Sequence, residues 1–269
     1  MSLTVNRQNH EAGTVLRKAI LGEARVQQAL SAEDDLIEFH HLFGHECAYA
    51  QIWSRSALEP KLRSMVTVAM LAALTPRGES LKVHMRGALI NGATRKQLRQ
   101  VLATISFYLG AGIGTEVITS AREELGIEGD IDRSGDAAIS NVSVEEMQRR
   151  GRALREKLFD VDAVPTSSHD EGDARYEAIK TEYYFGTLWV HPDLTLQERV
   201  MVVIGILCAC GRRDQLAVYL RAAQRIGCSY VQIKELFLTS CIYCGAPACE
   251  DGLIEARQVF ERELEANPA

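Results

Sequence analysis

Several things are scarce in this 269-residue chain, and each scarcity narrows what it can be. Positive charge is not in excess: 30 Lys and Arg stand against 36 Asp and Glu, for a net charge of −6. No global field therefore draws the chain onto phosphate backbones or anionic lipid, and neither nucleic acid nor a membrane is an expected partner. Long apolar runs are missing, since the longest, Val200–Cys210, is about half of what a membrane-spanning helix needs. The opening residues, MSLTVNRQNHEAG, lack the apolar stretch of a secretory signal, which makes a soluble, cytoplasmic protein the expectation. Cysteine is almost absent from the first two thirds, where Cys47 stands alone, and the other six lie between Cys208 and Cys249. In a chain read as cytoplasmic, free thiols follow rather than disulfides. Histidine is absent after His191, so the late cysteines have no nearby imidazole pair with which to build a zinc site.

Also missing is the sustained apolar/polar alternation of a half-buried strand. Apolar residues, 46% of the chain, recur instead at helical spacing nearly throughout. Helix starts are marked by Pro60 after Glu59 and by the capping-box patterns Thr94/Gln97, Ser143/Glu146, Thr195/Glu198 and Ser229/Gln232. Stops are marked by Gly92, Gly211, Gly227 and Gly245. The expected fold is all-α.

The chain also repeats itself. Residues 43–68 align with 179–204 at an offset of 136, pairing Glu46 with Glu182, Trp53 with Trp189, Leu58 with Leu194, Arg63 with Arg199 and Met65 with Met201. After one residue is dropped from the loop near 75–79, residues 81–110 align with 216–245, and nine of those thirty positions are identical. A helical Gly-x-x-x-Arg segment precedes each copy, Gly13/Arg17 and Gly151/Arg155. Self-similarity at this scale is a tandem duplication. The stretch between the copies is rich in Gly, Asp and Ser and reads as a linker over 127–142, joining a first unit, 1–126, to a second, 143–269. Five or six helices are expected in each unit.

Several segments of the first copy resemble the gamma-carboxymuconolactone decarboxylase family: Gly13-Thr-Val-Leu-Arg-Lys-Ala-Ile-Leu-Gly22, the stretch ending at Arg55, Arg63-Ser64, and Val83-His84-Met85-Arg86-Gly87 through Gly92. The second copy is similar to the same family through Ile242-Tyr243-Cys244-Gly245-Ala246-Pro247. The resemblance implies an alkylhydroperoxidase D-like helical unit that uses no metal or organic cofactor. It also implies a homo-oligomer, here a trimer of tandem chains imitating the family's hexamer. The implied reaction is loss of carbon dioxide from a 4-carboxymuconolactone-like acid in aromatic catabolism. Other branches of the family are thiol peroxidases with a Cys-x-x-Cys-x-x-x-His motif. Counting back from His84 puts Ser80 and Arg77 at the two thiol positions; counting back from Tyr219, its counterpart, gives Gln215 and Arg212. Cys241-x-x-Cys244 has the spacing but lies in a different helix.

Decarboxylating such a lactone needs donors for an incipient oxyanion and a group that protonates carbon. His84 is the candidate proton donor, with a packed core histidine as the alternative, and Glu46 is the carboxylate expected to orient or recharge it. The substrate's carboxylates call for guanidinium groups, and Arg55, Arg63 and Arg86 are the candidates. Arg63 and Arg86 recur as Arg199 and Arg221, so inter-unit or helix-terminal salt bridges are an alternative role for them. Arg55 becomes His191 in the second copy, and His84 becomes Tyr219. The active site is therefore expected in the first unit alone. A thiol-dependent peroxidase and a non-catalytic oligomeric binding protein remain the competing functions.

Overall fold

The computed structural model describes residues 6–31, 34, 37–126, 142–159 and 170–266, with side chains through 261. Among them there is no strand. The first unit comprises α1 (Arg7–Leu21), α2 (Glu23–Ser31), α3 (Glu38–Phe43) continued by a π-helix over Gly44–Trp53, α4 (Pro60–Leu74), α5 (Glu79–Ile90), α6 (Arg95–Leu109) and α7 (Ala111–Leu125). The second comprises α8 (Val144–Leu158), α9 (Glu171–Ile179) continued by a π-helix over Lys180–Leu188, α10 (Leu196–Ala209), α11 (Arg213–Arg225), α12 (Tyr230–Tyr243) and α13 (Ala246–Ala266). The duplication read from the sequence is thus an architectural one, down to a wide helical turn at the same place in each copy. The expected linker lies outside the described residues except for Val142.

The predicted boundaries have the expected chemistry. Thr94, Thr195 and Ser229 each accept from the backbone of the residue three later, and Gln97, Glu198 and Gln232 reach back to complete the box. Ser143 accepts from the Glu146 backbone. Gly92, Gly211, Gly227 and Gly245 all take positive φ, from 63° to 94°, where a Cβ would be strained.

The central helices of the two units, α4 and α10, pack on each other. Both are buried nearly all round: Met65, Val66, Val68, Ala69 and Met70 in one, Val200, Met201, Val202, Val203 and Ile204 in the other. Gly205 makes the close approach possible, because a Cβ there would stand 3.1 Å from Val66 Cγ1. The cores interpenetrate. Leu58, Val66 and Met70 belong to the second unit's core, and Leu194, Val202 and Ile206 to the first unit's.

Reciprocal polar contacts tie the units together as in a twofold dimer. The buried Arg63 reaches α12, donating to Thr239 Oγ1 (2.6 Å) and Glu235 Oε2 (3.1 Å), and caps the Arg55 carbonyl (2.9 Å). The buried Arg199 repeats this on α6 with Thr104 Oγ1 (3.3 Å), Gln100 Oε1 (3.3 Å) and the His191 carbonyl (3.2 Å). Trp53 Nε1 donates to the Tyr243 hydroxyl (2.9 Å) and Trp189 Nε1 to the Tyr108 hydroxyl (3.1 Å).

Candidate functional site

A cleft of about 560 Å³ opens in the first unit between α1, α2, the α3–π-helix segment and α5, and the end of α12 closes it from the second unit. Three features set its walls. Gly13 lets α1 touch the π-helix backbone to backbone: a Cβ there would sit 1.8 Å from the His45 carbonyl oxygen. Arg17, one turn further along α1, is thereby held over the His41/His45 face. The small Ala48 leaves open space where a larger side chain would reach in, and α12 delivers Ile242 and Tyr243.

His84 lies on α5 at the wall of this cleft and is 5% exposed. Its ring stacks on Trp53 (centroids 6.1 Å apart, 17° between planes) and meets the edge of Tyr243 (4.9 Å, 84°). Its Nδ1 is buried without a hydrogen-bond partner. Burial first, and then the charge of Arg17, push its pKa down to about 3. The imidazole of the free protein is therefore neutral at ordinary pH.

Beside it stands a polar network. Arg17 Nη1 lies 3.0 Å from His45 Nε2. A guanidinium can only donate, so Nε2 accepts and the His45 proton sits on Nδ1, itself buried and unpartnered. Burial, with Arg17, His10 and His41 adding to it, lowers the His45 pKa to about 4. Tyr49 lines the same end of the cleft, near enough to Arg17 and Tyr243 to feel both, and burial pushes its pKa up to about 12. At the rim Arg25 pairs with Glu79 (3.3 Å), which Lys82 also holds (3.1 Å). The cleft therefore has a cationic, donor-rich inner end and an apolar flank of Leu21, Val26 and Leu71.

The other residues singled out from the sequence lie elsewhere. Glu46 is on the π-helix but not in the cleft wall; its Oε1 is buried and unpartnered, and no hydrogen bond joins it to His84. Arg55 pairs with Glu235 (2.7 Å), and Arg63 is spent on α12 as described. Arg86, half exposed, pairs with Glu124 (2.6 Å) on α7. None of these three guanidinium groups lines the cleft. Arg63 makes an inter-unit ion pair, one of the alternatives weighed for it and Arg86; Arg55 also pairs across the units, and Arg86 pairs within its own.

Sequence reasoning passed over four groups, Arg17, His45, Tyr49 and Tyr243. Arg17 and Tyr243 carried a signal, since each recurs in the other copy, as Arg155 and Tyr108, at positions where most residues differ. Of the thiol positions, Ser80 lines the cleft and Arg77 pairs with Glu123 (3.5 Å). The cysteines are free. Among the described residues no group of three or more His, Cys, Asp or Glu is arranged to hold a metal ion.

Among the described residues, the corresponding region of the second unit is filled with side chains. Tyr219, in place of His84, shares a 2.6 Å hydrogen bond with Tyr108. Tyr184 replaces Ala48, and its hydroxyl donates to the Phe107 carbonyl (2.7 Å). Phe159, Phe185 and Trp189 complete an aromatic plug around Tyr219.

Comparison with known proteins agrees with this two-unit plan. The family model described as "Carboxymuconolactone decarboxylase family" matches twice, over residues 45–122 and 175–258. The 4-carboxymuconolactone decarboxylase of Acinetobacter baylyi is 31% identical over 125 residues, covering 45% of this chain and 92% of that protein. The nitrosuccinic acid decarboxylase npaB of Metarhizium robertsii is 30% identical over 84 residues, which are 31% of this chain and 59% of that protein.

Proposed function

The chain belongs to the carboxymuconolactone decarboxylase family, and we propose that it is a decarboxylase of a carboxylated lactone, working in the cleft of its first unit with His84 as the group that carries the proton to carbon. The observation behind this reading is the setting of His84: a buried imidazole with an unpartnered nitrogen, at the wall of a cleft that also presents Arg17, Tyr49 and Tyr243. Both relatives are named as decarboxylases of small organic acids.

The chemistry is balanced without a redox step. The substrate's C–CO₂⁻ bond breaks, carbon dioxide leaves, and the electron pair delocalises into the conjugated carbonyl. The Tyr49 hydroxyl and the Arg17 guanidinium are donors suited to the oxygen that gains charge. One proton from solvent, relayed by His84, then closes the carbon. An imidazole held neutral beside Arg17 gains proton affinity when an anion enters and offsets that charge. Substrate binding thus arms the acid. Arg63 and Arg55 act through architecture in this reading, by holding α12 and its Tyr243 against the cleft.

Carbon dioxide release from 4-carboxymuconolactone tests the proposal. The unmodified protein is expected to turn it over, and His84→Gln to lose about 10²-fold or more in kcat. Unchanged turnover in that variant overturns the role of His84.

A further inference from the structure

The two copies of the Gly-x-x-x-Arg segment put the same arginine into opposite electrostatic settings. In the second unit Arg155 is neutralised: Nη2 donates to Glu177 Oε2 at 2.8 Å and Nη1 to Thr181 Oγ1 at 2.7 Å. The backbone crossing that positions it is the one seen at Gly13, since a Cβ on Gly151 would stand 1.9 Å from the Thr181 carbonyl oxygen. In the first unit the register that pairs Glu46 with Glu182 puts His41 where Glu177 is, His45 where Thr181 is, and Tyr49 where Phe185 is. Arg17 consequently meets the acceptor nitrogen of a neutral imidazole, with the Tyr49 phenol near it, and among the described residues no carboxylate pairs with it. A charged group half-buried without a counterion is costly unless something anionic joins it. Arg17 faces the cleft, whereas among the described residues the counterpart region around Arg155 is filled with aromatic rings.

We infer that Arg17 is the carboxylate-anchoring residue of the cleft, and that His45 is a positioning residue that braces its guanidinium without cancelling its charge. The exchange of Glu177 for His41 and of Thr181 for His45 turns a structural ion pair into an anion seat. A carboxylate oxygen of the ligand would take the place that Glu177 occupies on Arg155. The neutrality of His45 matters here. A carboxylate at that position would hold the arginine equally well and abolish its use, and a protonated imidazole could not accept from it at all.

This inference rests on the proposed decarboxylase reading, and the test separates the two by measuring binding apart from turnover. Succinate, a simple dicarboxylate, serves as the probe in titration calorimetry at pH 7.5, with carbon dioxide release from 4-carboxymuconolactone followed in parallel. Arg17→Gln is expected to weaken succinate binding by roughly 30-fold or more, the scale of losing one partner of a hydrogen-bonded charge pair. The double variant His41→Glu/His45→Thr copies the second unit's surroundings, which that unit already shows to be compatible with the fold. It is expected to lose affinity to the same degree although Arg17 is still present, with helical circular dichroism and melting temperature retained. Arg155→Gln should leave succinate affinity unchanged. Unaltered affinity in either first-unit variant, or no saturable binding of succinate to the unmodified protein, overturns the inference. Binding that depends on Arg17 with no carbon dioxide release would instead keep the anion seat and defeat the decarboxylase reading.

Discussion

At the residue scale the cleft is defined by groups kept from their usual charge state or partner. His84 and His45 are both buried and neutral, with pKa values lowered to about 3 and about 4 from an ordinary 6.5. A histidine with a depressed folded pKa contributes stability that is fully present above the unfolded value. That stability is lost as pH falls from about 6.5 toward the folded values, because the unfolded chain takes up protons that the folded chain refuses. Each tenfold loss of proton affinity on folding corresponds to about 1.4 kcal/mol, so the two rings together make several kcal/mol of stability pH-dependent. Urea unfolding should therefore show a falling midpoint between pH 7 and pH 5, and the double variant His45→Thr/His84→Gln should flatten that slope. A slope unchanged by the double variant would mean that carboxylates, not these imidazoles, govern the acid limb.

At the element scale the decisive contact is the crossing of α1 over the π-helix. A π-helix is wider than an α-helix and is often found at functional sites. Here it places His45 beneath Gly13 with no room for a methyl group, because the atom in the way is a backbone oxygen 1.8 Å off. Backbone cannot rotate aside as a side chain can, so Gly13→Ala must push α1 away and carry Arg17 with it. The expected outcome is a loss of stability of about 2 kcal/mol or more together with weakened carboxylate binding, read by thermal melting and calorimetry. Gly112→Ala on α7, outside the cleft wall, has open space at the Cβ and should do neither. Equal behaviour of the two variants would count against the crossing as the element that positions Arg17.

At the scale of the whole molecule the duplication has produced an open copy and one whose described counterpart region is filled, and the two cannot be separated without damage to the open one. Tyr243 and Ile242 come to the cleft from the second unit, on a helix held by the fully buried pair Arg63–Glu235. Removing one partner of such a pair strands the other charge, so Glu235→Ala should cost about 3–5 kcal/mol. Glu235→Gln should cost clearly less, because Gln100 already performs this office for Arg199 in the reciprocal contact. Chemical unfolding of the two variants checks the order, and a glutamine variant as damaged as the alanine one would show that charge, rather than hydrogen bonding, secures α12. Burial holds the Arg199 pKa down to about 10, and the acceptors its guanidinium reaches are all neutral.

Much of this was legible in the sequence, because it is a matter of local rules. Helical periodicity, capping boxes and terminal glycines depend on residues within a turn or two of one another, and the repeat needs only comparison of the chain with itself. His84 stood out in the same way, through the family-like run around it. The destinations of the arginines were not legible. Arg63 and Arg55 find Glu235 some 170 to 180 positions away, and no spacing rule reports which carboxylate a long side chain will meet. Nor could composition tell that Glu46 would lie apart from His84, or that Tyr243 would cross between units to close the cleft. Those facts follow from how two copies of one helical unit bury their apolar faces in each other, and that packing decides which charges are cancelled and which is left facing the cleft.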